Sequence, residues 1–269
     1  MAAACCGLYG CGPEPTSTVL VYEVDQEARQ ERMAAMAAAA INTRLGKAGS
    51  ARASANGRIE VDIFGKVDER ELQQIKRRIT TKGTLVFRIV ANPKDHAEEI
   101  ALAKASAATS LEKDGRTAAQ WVTLAPENFS EQAAPDHWVT RSDGDGQTEV
   151  LVMVDSNDVT GEYLASAKSA VDPEGEPAMT LTFNTTGARR FGRLIAENQP
   201  DDEKSVPRHL GVLLDDTLFA ALPIHDATTE NVQVTGNFTA RDVETMVAIL
   251  RAGSLPCKIR QVSEQPVGK

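Results

Sequence analysis

The chain has 269 residues and a mass of 28.9 kDa, enough for one large domain or two ordinary ones with a sizeable core. With 29 Lys plus Arg against 38 Asp plus Glu, its net charge is −9, and aromatic residues make up 4%. That balance argues against partners with a phosphate backbone and against a base-stacking platform. No apolar run of about 18 residues or more occurs, so the sequence shows no membrane-spanning helix.

At the start, Cys5, Cys6 and Cys11 crowd together, while Cys257 stands alone near the other end. Leu8-Tyr9-Gly10-Cys11 resembles a lipobox, which makes Cys11 a lipidation candidate. Against that reading, the preceding residues contain no Lys or Arg and barely an apolar stretch. The alternative is that residues 1–17 are a leader remnant. The first strand is expected at Val19–Val24, rich in β-branched residues. Asp25 then caps a long Ala-rich helix over roughly 26–47, ending near Gly46 and Gly49. Arg58–Phe64 alternates charged and apolar residues, the pattern of a half-buried strand. Asp68 caps a second helix with Leu72, Ile75 and Ile79 on one face; Gly83 breaks it, and Thr84–Val90 forms a third strand.

A short helix is expected over 95–110, followed by a stretch holding Trp121 and Trp138 and closing on the turn Asp143-Gly144-Asp145-Gly146. From there the strands are short: Val150–Val154, then Met179–Phe183 after a turn at Pro173–Pro177. A helix follows with Ala188, Phe191, Leu194 and Ile195 on one side. His209–Leu214 and Thr217–Leu222 read as a hairpin turning at Asp215-Asp216, and Val232–Val234 as a further strand. Thr239 and Asp242 have the spacing of a capping box, with Asp in place of the usual Glu. The helix they start sets Val243, Met246, Val247 and Leu250 on one face and ends at Gly253, with Pro256 preventing its return. Cys257–Val262 is the closing strand.

This order predicts an α+β protein: a ferredoxin-like base layer of βαββαβ type with a long inserted α+β head subdomain. The base is expected over 18–93 plus 237–269, a connecting insertion over 94–154 and the head over 155–236. The closing helix and strand would return to the sheet begun by residues 19–90.

No motif supplies catalytic chemistry. GxxxxGK[ST] and GxGxxG are missing, as are HExxH and GxSxG, and His96, His137, His209 and His225 lack metal-ligand spacing. Cys257 has no neighbouring His and reads as a small strand residue. Asp215 and Asp216 are adjacent on a turn and fit a turn role better than an acid–base pair. The reading is therefore non-enzymatic, with no catalytic residue, metal or cofactor and no nucleic-acid partner.

Four ordered segments carry a family resemblance. Val159-Thr160-Gly161-Glu162-Tyr163-Leu164, Leu181 through Phe191, Gly236-Asn237-Phe238-Thr239 and Leu250-Arg251-Ala252-Gly253-Ser254-Leu255-Pro256 resemble the first periplasmic domain of SecD, a membrane subunit that assists bacterial protein export with SecF. The likeness runs over roughly 155–268, and more weakly through Leu20–Asp25 and Asp68–Leu72. It implies a ferredoxin-like base and a mobile head that transiently binds emerging unfolded preprotein, head moving against base to aid export. Phe183, Asn184, Gly187 and Phe191 become the candidate substrate-binding residues of the head. Thr160, Gly161, Arg251, Gly253, Leu255 and Pro256 become hinge or signature positions. Implied partners are unfolded preprotein, the Sec translocation channel and SecF, at the periplasmic face of the cytoplasmic membrane, with attachment through segments outside this chain and a soluble exposed part. The alternative is a structural docking module that contacts only the channel or SecF.

Each candidate also has a plain structural role: Gly187 and Gly253 for a tight helix start and an αL helix end, the phenylalanines for the core, and Asn184 for bonding the following turn. The chain departs from the family at four points. Gly12–Thr18 stands where members carry Asp-Leu-x-Gly-Gly, members continue past the Val267-Gly268 region into transmembrane helices, the hairpin Leu214-Asp215-Asp216-Thr217 replaces the Asp-Gly turn common in the family, and residues 94–147 are longer than usual.

Overall fold

The computed structural model describes residues 17–25, 30–54, 56–129, 135, 137–200, 208–224 and 231–267. Cys11 and the expected start of the first helix at 26–29 lie outside the described residues. The fold is mixed α+β, with three sheets and five helices among the described residues. It divides into two compact units: Met1–Thr80 with Cys257–Lys269, and Thr81–Pro256.

The first unit contains β1 (Ser17–Val24), α1 (Gln30–Leu45), β2 (Gly49–Ala53), β3 (Arg58–Ile63), α2 (Glu69–Thr80) and the late strand β15 (Ile259–Val267). Its antiparallel sheet has the order β15-β1-β3-β2. Alternation along β1 and β3 sends Leu20, Tyr22, Val24, Ile59, Val61 and Ile63 into the core. Opposite them, α1 contributes Ala34, Ala37, Ala38, Ile41 and Leu45 at helical spacing, and α2 contributes Leu72, Ile75 and Ile79. Arg44 is buried in this core, and its Nη1 donates to the carbonyls of Arg78 and Ile79 at 3.1 and 3.4 Å. A cation from α1 thus serves the open carbonyls at the end of α2, where the helix dipole is negative.

The second unit begins with β4 (Leu85–Ile89), α3 (Ala97–Ala105), β5 (Ser110–Lys113), β6 (Arg116–Leu124), β7 (Thr140–Ser142), β8 (Thr148–Met153) and β9 (Val159–Thr160). It continues with β10 (Leu164–Val171), β11 (Pro177–Phe183), α4 (Thr185–Glu197), β12 (His209–Leu214), β13 (Thr217–Pro223), β14 (Asn231–Val234) and α5 (Ala240–Ala252). The larger sheet runs β7-β8-β6-β13-β12-β4-β9, with β5 also paired to β6; the smaller runs β10-β11-β14. Leu85, Phe87, Ile89, Leu210 and Val212 of the larger sheet share one core with Met179, Leu181 and Phe183 of β11, Phe191 and Leu194 of α4, and Val243 and Val247 of α5. Trp121 and Trp138 are each buried in a smaller cluster beyond that core.

Three expectations change. The sheet of the first unit contains β2 and not the expected Thr84–Val90 strand, which as β4 pairs with β12 and β9 in the second unit. The closing helix α5 packs on β10 and β11 in the second unit, so only β15 returns to β1. The physical reason is that alternation reports a strand's two faces but not its partner. The helix expected over 95–110 stops at Ala105, and Ser110–Lys113 pairs with β6 as a hairpin across Asp114-Gly115.

Candidate functional site

The segments that carry the family resemblance converge in the second unit. Val159 and Thr160 pair with Phe87 and Val86 of β4, and a 3-10 turn at Gly161–Tyr163 leads into β10. The next signature segment meets this turn directly. Asn184 donates its backbone N–H to the carbonyl of Tyr163 at 2.9 Å, and its Oδ1 accepts the N–H of Gly187 at 2.9 Å as the N-cap of α4. A Cβ on Gly187 would lie 2.6 Å from Tyr163 Cβ, so the lack of a side chain lets helix and turn close together. The Arg190 guanidinium stands 5.3 Å from the Tyr163 ring centroid and also donates to the Ser156 carbonyl at 2.8 Å.

Phe183 and Phe191 lie inside the core. Their ring centroids are 5.0 Å apart, and Phe87 meets them edge-on at 5.4 and 5.7 Å. All three rings are buried, so they hold β11, α4 and β4 together by packing and by edge-to-face attraction.

The Arg251–Pro256 segment closes α5. Arg251 Nε donates to the Ala167 carbonyl of β10 at 2.7 Å. Gly253 follows at φ 74° and ψ 179°, a positive-φ conformation outside αL, in place of the expected αL end. Leu255 is buried and its N–H donates to the Lys82 carbonyl at 2.7 Å, while Pro256 is half-buried. The capping box at the other end of α5 is complete: Thr239 and Asp242 each bond the other's backbone N–H.

The Asp215-Asp216 turn has both residues at positive φ, 53° and 60°. The Asp215 carboxylate accepts the N–H groups of Gly83 and Thr84 at 3.0 and 2.7 Å, fixing the hairpin to the chain entering β4. A polar network not visible in the sequence lies alongside. Arg88 Nε donates to Asp158 Oδ2 at 2.9 Å, Arg88 Nη1 donates to Gln120, and Gln120 donates to Asp216 at 3.2 Å. Burial pushes the Asp158 carboxyl up to about 6 despite the opposing pull of Arg88.

Among the described residues, no group of three or more His, Cys, Asp or Glu is placed to hold a metal ion. The Cys257 thiol is buried and held above its usual pKa, first by desolvation and then by the charge of Asp25, which opposes the thiolate. Also among the described residues, no helix is long and apolar enough to cross a membrane. The arrangement joins strands and helix ends by hydrogen bonds and packing.

Comparison with known proteins agrees with this convergence. Residues 136–257 match the family profile described as SecDF, P1 head subdomain. The protein translocase subunit SecD of Acidaminococcus fermentans is 35% identical over 127 residues, covering 46% of this chain and 29% of the relative. SecD of Rickettsia felis is 24% identical over 215 residues, covering 77% and 40%. The chain thus spans well under half the length of either relative. SecDF solved in a super-membrane-facing form shares the fold, with a TM-score of 0.59 at 18% identity, over 93% of this chain and 30% of that one. A second SecDF structure, of a membrane component that enhances protein export, gives 0.57 at 20% identity over 91% and 98%. Residues 136–257 thus resemble a SecDF P1 head subdomain, in a chain similar to the periplasmic P1 region of SecD.

Proposed function

We propose that this chain is the periplasmic P1 region of a SecD subunit, a non-enzymatic accessory of protein export at the outer face of the bacterial cytoplasmic membrane. The observation that carries the reading is the head-subdomain match over 136–257, within which two signature segments meet at Tyr163, Asn184 and Gly187 while Arg251 of a third bonds β10. On this reading the first unit is the ferredoxin-like base, supported by its β-α-β-β-α-β order and the strand order β15-β1-β3-β2. The second unit carries the head, which transiently binds emerging unfolded preprotein and moves against the base. The chain crosses between the units twice, at Thr80–Thr81 and Pro256–Cys257, and these crossings are the hinge. Gly253, Leu255 and Pro256 shape the second crossing. Phe183, Asn184, Gly187 and Phe191 support the binding surface from within, since the two phenylalanines are buried. The Sec channel and SecF are the membrane partners.

The test is preprotein export in a SecD-depleted strain complemented by a SecD whose P1 region is replaced by this chain. Restored export, with photocrosslinks from the second unit to a translocating preprotein, supports the reading. Restored export with crosslinks only to the channel or SecF selects a docking module. Correctly inserted protein without export overturns the assignment.

A further inference from the structure

We propose that one end of the first unit, built from Lys47, Phe64 and Lys66, rests on the lipid surface, with Phe64 entering the interface and the lysines meeting anionic headgroups. The inference rests on the reading above, in which the chain is attached to a membrane through segments outside it. Strand register defines this end. Ser17 pairs with Val267 and Thr18 with Ile63, while Ile63 also pairs with Gly49. The starts of β1 and β2 and the finishes of β3 and β15 therefore lie in one row. Whatever precedes Ser17 or follows Val267 joins the unit here, so an attached membrane lies nearest this end.

Two tight turns cover this row. Gly46–Ala48 links α1 to β2, with Gly46 donating its N–H to Asn42 and Ala48 donating to Leu45, both at 3.0 Å. The second turn follows β3: the Phe64 N–H donates to the Ala48 carbonyl at 2.9 Å, and Gly65 turns the chain at φ 79°. The turns are thus fastened to each other, and they hold Lys47, Phe64 and Lys66 exposed. Phe64 is 54% exposed and is the aromatic one among the large exposed apolar side chains described. A ring flanked by lysines suits a bilayer interface, since the ring buries while the long stems keep their charges among the headgroups. The neighbouring carboxylates are engaged along α2. Asp68 accepts the N–H of Glu71 at 2.8 Å, and Glu69 accepts Gln73 Nε2 at 2.7 Å. Among the described residues, neither Lys47 nor Lys66 takes part in an ion pair. The net charge of −9 opposes an anionic surface, so these two cations orient the end that meets it.

The test tethers the complete chain by a C-terminal hexahistidine tag to vesicles of equimolar phosphatidylethanolamine and phosphatidylglycerol that carry nickel-chelating and acyl-brominated lipids. Phe64→Trp reports contact by bromine quenching. Met36→Trp is the control, exposed on α1 about 14 Å of helix rise from Leu45. Quenching at position 64, with position 36 and the buried Trp121 and Trp138 unaffected, is the expected result. Lys47→Glu together with Lys66→Glu should cut that quenching about three-fold or more, as should replacing phosphatidylglycerol by phosphatidylcholine. Quenching that survives the lysine reversal overturns the headgroup contact. Amide exchange across β1 and β3 checks the fold of each variant. If one misfolds, slowed exchange at Gly65 and Lys66 of the unsubstituted tethered chain decides the matter. Position 64 no more quenched than position 36 overturns the inference and leaves the SecD reading standing, because export complementation judges that reading separately. Photocrosslinks from position 64 in cells that reach only SecF or the channel assign this end to a protein and also overturn lipid contact. Failed complementation by correctly inserted protein overturns both.

Discussion

The carbonyl of Tyr163 receives the backbone N–H of Asn184 at 2.9 Å, joining the turn before β10 to the start of α4. The join leaves no room at Gly187, where a methyl would meet Tyr163 Cβ at 2.6 Å and the Tyr163 carbonyl oxygen at 3.0 Å. Gly187→Ala should destabilise the second unit by about 1–3 kcal/mol through overpacking, measured by urea unfolding. Asn184→Ala should cost about 1 kcal/mol through the lost cap, and Asn184→Asp should be near neutral. An unchanged midpoint for Gly187→Ala would show that the turn moves aside freely.

Gly253 gives a sharper test of backbone conformation. Its ψ of 179° lies in a region essentially reserved for glycine, away from the αL basin that asparagine tolerates. Both Gly253→Ala and Gly253→Asn should cost about 1–3 kcal/mol. A clear advantage of Asn over Ala in thermal unfolding would mean that the residue rests in αL.

Asp215→Ala should be more damaging than a turn substitution on the surface. It removes the acceptor of the Gly83 and Thr84 N–H groups and leaves a non-glycine residue at positive φ without side-chain support. A loss of about 2–4 kcal/mol is expected, mostly from the two charge-assisted bonds. Asp215→Asn keeps one acceptor oxygen and should recover about half of it. Equal losses for Ala and Asn would exclude the carboxylate as the fastening group.

Asp158 predicts a pH dependence. Its native pKa of about 6 lies above the ordinary value of 3.8, so between these limits the folded chain holds a proton that the unfolded chain has released. Folding takes up a proton in that window, and the contribution of Asp158 to stability falls as pH rises through it. Relative to Asp158→Asn, the wild type should lose about 2 kcal/mol between pH 4.5 and pH 7. Parallel stability profiles for the two proteins would refute the shift.

The parts of the fold that announce themselves locally could be read from sequence. Thr239 and Asp242 form the box their spacing predicts, and the turn at Asp215-Asp216 joins β12 to β13. Strand β2 was not legible, because Gly-Ser-Ala-Arg-Ala contains no β-branched residue and owes its conformation to pairing with β3. Asp114-Gly115 is a strong hairpin signal, but the Ala-rich run before it favoured extending the helix. In the site, the Asn184 cap follows from its position before a helix. The Arg88–Asp158 pair does not, since 70 residues separate partners that only the folded sheet unites. The third phenylalanine, Phe87, was likewise hidden by distance along the chain.

The pairing of Ser17 with Val267 in the first unit has a consequence for synthesis. The second unit is one uninterrupted stretch, Thr81–Pro256, and can fold as soon as that stretch emerges. Strand β1 must wait with one edge vacant until β15 is made, some two hundred and fifty residues later. Closing so long a loop is slow, so on a nascent chain the β1–β15 ladder forms after the second unit. A nascent chain that has emerged as far as Pro256, with β15 still inside the ribosome, would carry a finished second unit on an unfinished first one.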